Sequence, residues 1–203
     1  MENRLFIQLA HKLVAYPQVY DLVQNLVGVK QVQGHMQPFL AHLENQLVLD
    51  VGSGTGLYRS VLPAEVDYIG LDLDPMKLVG LQERVQDRLG ILLADATRIC
   101  LQDKCVDVAL CVFLGHHLTD EQVKALMREL ARVVNGHLLF VEPLNRPQSK
   151  VSNLLWFYDR GSHPRTLSTW QSFLKRDFDI EEQQVFSIYH EYLLCWCKPK
   201  QIA

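Results

Sequence analysis

The chain has 203 residues, of which 48% are hydrophobic and 21% charged, with a formal net charge of −3. This is ordinary globular composition, long enough to bury roughly 70% of the unfolded chain's surface in one domain. No basic run marks a nucleic-acid footprint, and no apolar stretch approaches the ~20 residues of a membrane span.

The opening MENRLFIQLAHKL has no basic head, apolar core and small-residue cleavage site of a secretory signal, so a cytoplasmic location is expected. The five cysteines, Cys100, Cys105, Cys111, Cys195 and Cys197, are odd in number and form no CxxC pair. They are read as buried thiols, with no disulfide framework and no metal. Cys195 and Cys197 stand two apart in EYLLCWC, which places both on one face of a strand.

In chain order, Val19, Leu22, Val23, Leu26 and Val27 recur at helical spacing, set off by Pro17 from Leu5, Leu9 and Leu13. A further short helix is expected over 33–43. Residues 1–44 are therefore read as a helical segment, 45–142 as a sheet-forming core and 143–203 as a segment ending in strands. From residue 46 the runs LVLDV, YIGLD, GILLAD, VDVALCVF and HLLFVE alternate with amphipathic segments. In one of these, Val123, Leu126, Met127, Leu130, Val133 and Val134 follow the helical rule, with Thr119 as N-cap and Gln122 three residues on. Continuous apolar strands separated by helices predict an α/β fold with a doubly wound, mostly parallel sheet and helices on both faces.

The end of the chain differs. After a helix around Ser168–Lys175, FDIEEQQVFSIY and EYLLCWCK are joined too tightly for a crossover, so these two strands are expected to be antiparallel and to complete a seven-stranded sheet.

The stretch LVLDVGSGTGLY, residues 47–58, sets glycines 52, 54 and 56 directly after a strand and before a helix. In doubly wound sheets a ligand sits at such a turn. The dinucleotide pattern GxGxxG fails because position 57 is Leu, and a P-loop fails for want of a lysine followed by Ser or Thr. What remains is Asp50-x-Gly52-x-Gly54-x-Gly56. Glycines let the backbone approach a ligand closely, and a carboxylate ending an apolar strand calls for a cation or several donors. A tight turn capped by Asp50 would have the same letters.

These motifs resemble the class I S-adenosylmethionine (SAM)-dependent methyltransferases, over about residues 45–198, and their small-molecule branch in particular. LVLDVGSGTG is similar to the first motif of that family, which implies that the loop of Gly52, Ser53, Gly54 and Gly56 lines the methionyl part of SAM and that Asp50 helps orient it. The resemblance also implies a helical lid over 1–44, a SAM-binding core over 45–142 and an acceptor-side segment over 143–203. YIGLDLDP resembles the second, which implies that Asp72 holds the ribose hydroxyls and Leu73 packs on adenine. LLADAT resembles the third, implying Asp95 and the Ala96 backbone on the adenine edge. VDVALCVFLGHHL resembles the fourth strand and its exit, which brings Phe113 to the cofactor. ELARVVNGHLLFVEP resembles the next helix and strand, with the usual proline and doubled glycine reduced to Asn135 and Gly136. S-adenosylhomocysteine (SAH) would be the product. Asp74, just before Pro75, is better suited to cap the following helix than Asp72, and Asp95 has the alternative role of a turn residue.

Methyl transfer needs alignment of the acceptor and exclusion of water more than it needs catalytic side chains, and a base only where the acceptor loses a proton. The candidates are His116 and His117 after the fourth strand and Glu142 closing the fifth, against the plainer roles of starting a helix and of structural hydrogen bonding. Region 143–165 mixes Trp156, Phe157 and Tyr158 with Arg146, Lys150, Arg160, His163 and Arg165. That suits a small-molecule acceptor with an aromatic body or an anionic group. Tyr20 is a candidate for the cofactor carboxylate. FLGH stands where an NPPY-like tetrapeptide would mark DNA-base methylation, so no DNA partner is expected. Two rival readings are a nucleotide-dependent oxidoreductase, which NAD binding without SAH binding would reveal, and a catalytically silent SAM- or SAH-binding protein.

Overall fold

The computed structural model describes residues 28–85, 89–145, 163–188 and 191–201. The expectations for residues 5–27, Tyr20 included, and for Arg146, Lys150, Trp156, Phe157, Tyr158 and Arg160 lie outside them.

Seven strands form one sheet: β1 (Leu47–Val51), β2 (Asp67–Asp72), β3 (Leu89–Leu93), β4 (Val106–Val112), β5 (Val134–Leu144), β6 (Phe178–Ser187) and β7 (Glu191–Pro199). Their order is β3-β2-β1-β4-β5-β7-β6. The first four pairings are parallel, whereas β5 with β7 and β7 with β6 are antiparallel. The doubly wound sheet and its antiparallel C-terminal pair are as the sequence predicts. β6 and β7 are antiparallel because only a short connection joins them, and β6 forms the edge of the sheet.

β1, β4 and the second half of β5 are largely apolar because both of their faces are covered. In β4, Ala109 and Cys111 point into the core beneath α3 (Asp120–Val133) and α4 (Leu167–Asp177). Val108, Leu110 and Val112 point into the opposite core, beneath α1 (Val29–Leu40) and α2 (Pro75–Arg84). This is the two-residue alternation of a strand. Cys195 and Cys197 share the α3–α4 face and are buried, as expected, whereas Cys100 and Cys105 are exposed.

Local chemistry sets the helix bounds. Asp74 accepts the Met76 N–H ahead of Pro75, and Thr119 and Gln122 form a reciprocal capping box for α3. The expected helix 33–43 occurs four residues earlier, at Val29–Leu40, because Val29, Val32, Met36, Phe39 and Leu40 carry the buried stripe and Gly28, at φ 96°, starts the turn. After α3 the chain enters β5 at Val134 with no loop. Gly136 then passes so close to the Asp107 carbonyl that a Cβ would overlap it, so Asn135 and Gly136, expected in a shortened turn, lie within β5 and serve strand packing. Among the described residues, no helix is long and apolar enough to cross a membrane.

Candidate functional site

β1 and β4 are neighbours, and the chain runs on to opposite sides of the sheet from them, so a crevice opens at their carboxyl ends. The glycine loop fills its floor. The Gly52 and Ser53 N–H groups both donate to the Leu71 carbonyl, at 2.7 and 2.9 Å, and so tie the loop to β2. Gly52, Gly54 and Gly56 have φ of 75°, 56° and 75°, a left-handed geometry that costs other residues about 1–2 kcal/mol each.

Space is as restrictive as conformation. A Cβ on Gly56 or on Gly70 would overlap Leu81, which is fully buried between the loop and β2. A Cβ on Gly52 would lie 3.1 Å from the Leu114 side chain, so the exits of β1 and β4 touch. The α-helix expected after the loop is instead a short 3-10 turn, Leu57–Val61. Arg59 ends it by donating to the carbonyls of Leu62, Pro63 and Ala64.

The acidic candidates have different surroundings. Asp50 is 1% exposed, and its Oδ2 accepts the Tyr68 hydroxyl at 2.5 Å. Burial pushes its carboxyl up to about 7, helped by the Asp72 charge and opposed by the Tyr68 hydrogen bond. Asp72 is half-buried; its Oδ2 accepts the Gly54 N–H and its Oδ1 the Asp74 N–H, each at 2.9 Å. A carboxylate has about four acceptor sites, so two remain for a diol. Asp95 is exposed and closes a turn through Oδ1, which takes the Thr97 N–H and hydroxyl at 2.8 Å. The same Thr97 bonds hold its carboxyl below its usual value.

Several features fit an adenosyl-amino acid. Leu73 is 70% exposed beside Asp72, a bare apolar surface for a flat base. Ser53 Oγ is buried and has no partner among the described residues. Ala96 is half-buried in the turn that follows Asp95. Phe113, at φ 57°, leaves β4 and packs between Tyr58 and Tyr192, with ring centroids 6.4 and 5.4 Å away.

His116 and His117 do not start α3. They occupy a separate 3-10 turn, Gly115–His117, whose His116 is 4% exposed and whose His117 is exposed. His116 Nδ1 lies 2.7 Å from Glu142 Oε2, the same oxygen accepts the His116 N–H at 3.3 Å, and Glu142 Oε1 accepts the Gly115 N–H. Glu142 is fully buried. With three N–H donors around it, its carboxylate favours the His116 tautomer that carries the proton on Nδ1.

Arg165 departs from its expected role as an acceptor-loop cation. It is buried at 6% exposure and all of its N–H groups are engaged within the protein, on Gly115, Leu118, His163 and Asp120. Tyr68 was not singled out in the sequence. Its signal was present in the strand alternation, which puts it on the same face of β2 as Gly70 and Asp72, with Gly70 paired to Asp50 in register.

A glycine loop at the switch point with a carboxylate closing the next strand is the arrangement by which Rossmann-like folds hold an adenosine-containing ligand. Residues 48–136 match the family model described as a methyltransferase domain. Among solved structures, the chain is similar to the Burkholderia thailandensis 1,6-didemethyltoxoflavin-N1-methyltransferase, bound to its substrate and SAH, with 14% identity over 98% of this chain and 90% of that one and a TM-score of 0.72. It is also similar to the Synechocystis magnesium protoporphyrin IX methyltransferase with bound SAH, with 16% identity, 85% and 82% coverage and a TM-score of 0.68. A third likeness is to a Haloferax volcanii complex between the Trm112 methyltransferase activator and a methyltransferase, with 14% identity, 91% and 95% coverage and a TM-score of 0.74. The sequence matches none of the curated proteins. Residues 48–136 therefore carry a methyltransferase domain, and the chain shares the fold of these solved methyltransferases.

Proposed function

We propose that this methyltransferase acts on a small molecule with an aromatic or apolar body, and that His116 removes a proton from the attacking atom. The observation that carries the acceptor class is the aromatic run beside the crevice. Phe113 packs on Tyr192, Tyr192 on Phe186, and His35 stacks on Phe186 at 3.8 Å. Such a wall favours a flat or greasy acceptor over a charged polymer. Two of the structural neighbours are, by their names, methyltransferases of small molecules, 1,6-didemethyltoxoflavin and magnesium protoporphyrin IX.

In this reading Gly52, Ser53, Gly54 and Gly56 line the methionyl part of SAM, with Asp50 beneath them. Asp72 accepts the ribose hydroxyls, Leu73 covers adenine, Asp95 and the Ala96 backbone take its edge, and Phe113 shields the sulfonium side. Bound SAM would supply a methyl group already activated on its sulfonium, with SAH as the leaving group. The chain aligns the acceptor and excludes water. His116 Nε2 takes the acceptor's proton, and Glu142, bonded at Nδ1, stabilises the imidazolium that results. His117, exposed beside it with ring centroids 4.1 Å apart, stands at the acceptor entrance. The cysteines, all of them free, suit the reducing cytoplasm.

The test is incubation of the purified protein with methyl-labelled SAM and the separated small-molecule, RNA and protein fractions of a cell extract. Label in the small-molecule fraction, reduced roughly 100-fold or more by His116→Ala with SAH affinity kept, supports the reading. Label in RNA or protein alone would overturn the acceptor class.

A further inference from the structure

We propose that Arg165 is a positioning residue that holds the His116 turn in register with the methyl-transfer site; the inference rests on the reading of His116 as the base. The guanidinium lies between the β4 exit, α3 and α4. Nη1 donates to the Gly115 carbonyl at 2.9 Å and to the His163 carbonyl at 3.3 Å. Nη2 donates to the Leu118 carbonyl at 2.6 Å and to Asp120 Oδ1 at 2.7 Å, and Nε donates to the same oxygen at 2.9 Å. Its flat face covers the Trp170 ring at 4.9 Å and the Phe173 ring at 5.6 Å.

Gly115 and Leu118 bracket the two histidines, so one side chain grips the turn at both ends. The backbone beside Arg165 adds a third hold, because the His163 N–H donates to the His116 carbonyl at 3.1 Å. From the other side Glu142 takes the Gly115 and His116 N–H groups and the His116 ring. Trp170 fills the remaining space: a Cβ on Gly115 would lie 2.7 Å from its ring and 3.0 Å from Glu142 Oε1.

The His116 ring therefore has one seat, set by Glu142 at the nitrogen and by Arg165 through the main chain. A buried cation is costly unless it is paired and its hydrogen bonds are satisfied, and here two of the acceptors are the carbonyls that frame the base. Lysine carries the charge but cannot reproduce this fork, because its three donors radiate from one atom.

The test compares wild type with Arg165→Lys and with Asp120→Asn, which leaves Arg165 in place but removes the charge of a half-exposed partner. The readout is the ¹⁵N imidazole spectrum of His116 across pH, assigned by its loss in His116→Gln. SAH calorimetry and thermal melting serve as controls. We expect both variants to fold and to bind SAH within about threefold of wild type. The His116 signal should move away from the Nδ1–H tautomer, with its titration midpoint displaced by roughly half a pH unit or more in Arg165→Lys and less in Asp120→Asn. An unchanged His116 signal in both, even with lowered melting temperatures, would reduce Arg165 to a structural staple and overturn the proposal. Failure of the base reading looks different: His116→Gln would then leave methyl transfer intact while the Arg165 effect on the His116 signal persisted.

Discussion

The Tyr68 hydroxyl donates to Asp50 Oδ2 at 2.5 Å across neighbouring parallel strands, so the acid of the glycine loop is tied into the sheet beneath it. Tyr68 is itself 1% exposed, and this bond satisfies a hydroxyl and a carboxyl that would otherwise be buried without a partner.

A pH dependence of stability follows from this pair. The Asp50 carboxyl has an ordinary value of 3.8 and a folded value of about 7. Between these the native state keeps a proton that the unfolded chain releases. The contribution of Asp50 to stability is therefore full below about pH 4 and is lost as pH rises to about 7. Asp50→Asn should match wild type near pH 4 and exceed it by on the order of 2–4 kcal/mol at pH 8. Urea unfolding at a series of pH values checks this; parallel stability curves for the two proteins would contradict it.

The same proton bears on the cofactor. A cationic ligand above the loop favours ionised Asp50, so SAM should bind more weakly as pH falls from 8 to 6, and Asp50→Asn should flatten that slope. Calorimetry across this range reads the effect directly.

Two aspartates separated by one residue should behave oppositely. Asp72→Ala removes the acceptor of the Gly54 N–H and, in the proposed site, of the ribose hydroxyls, so SAH affinity should fall by roughly 1–3 kcal/mol. Asp74→Ala removes only the cap at Met76, so stability should fall by about 1 kcal/mol with SAH affinity unchanged. Equal effects on binding would take Asp72 out of the site.

Leu81 couples the loop to α2. Gly56→Ala should destabilise by about 2 kcal/mol or more, through its left-handed φ and the clash with Leu81. Leu81→Ala should cost about 2–5 kcal/mol on its own. The double variant should cost less than the sum, with a coupling of about 1 kcal/mol, because the truncated side chain makes room for the new methyl group. Denaturant midpoints of the four proteins settle it.

The topology was legible because burial on both faces writes strands as unbroken apolar runs and α3 as a clean helical stripe. The caps Asp74 and Thr119 were legible because they depend on neighbours within three residues. Features made by residues far apart in the chain were not. Tyr68 reaches Asp50 through strand register, and Arg165 reaches Gly115 from 50 residues away. In the sequence Arg165 is one more basic residue in an irregular stretch. Only the fold shows that it is buried, with every N–H engaged. The start of α1 was misplaced because Gly28 and Val29 read as the end of an earlier apolar stripe.

The most direct measurement is calorimetric titration of the purified protein with SAH, run against NAD and repeated on Asp72→Ala. Micromolar SAH binding, silence with NAD and a weakened Asp72→Ala titration are the expected results. Absence of SAH binding by a folded wild-type protein, or NAD binding in its place, would contradict the glycine loop as a SAM site.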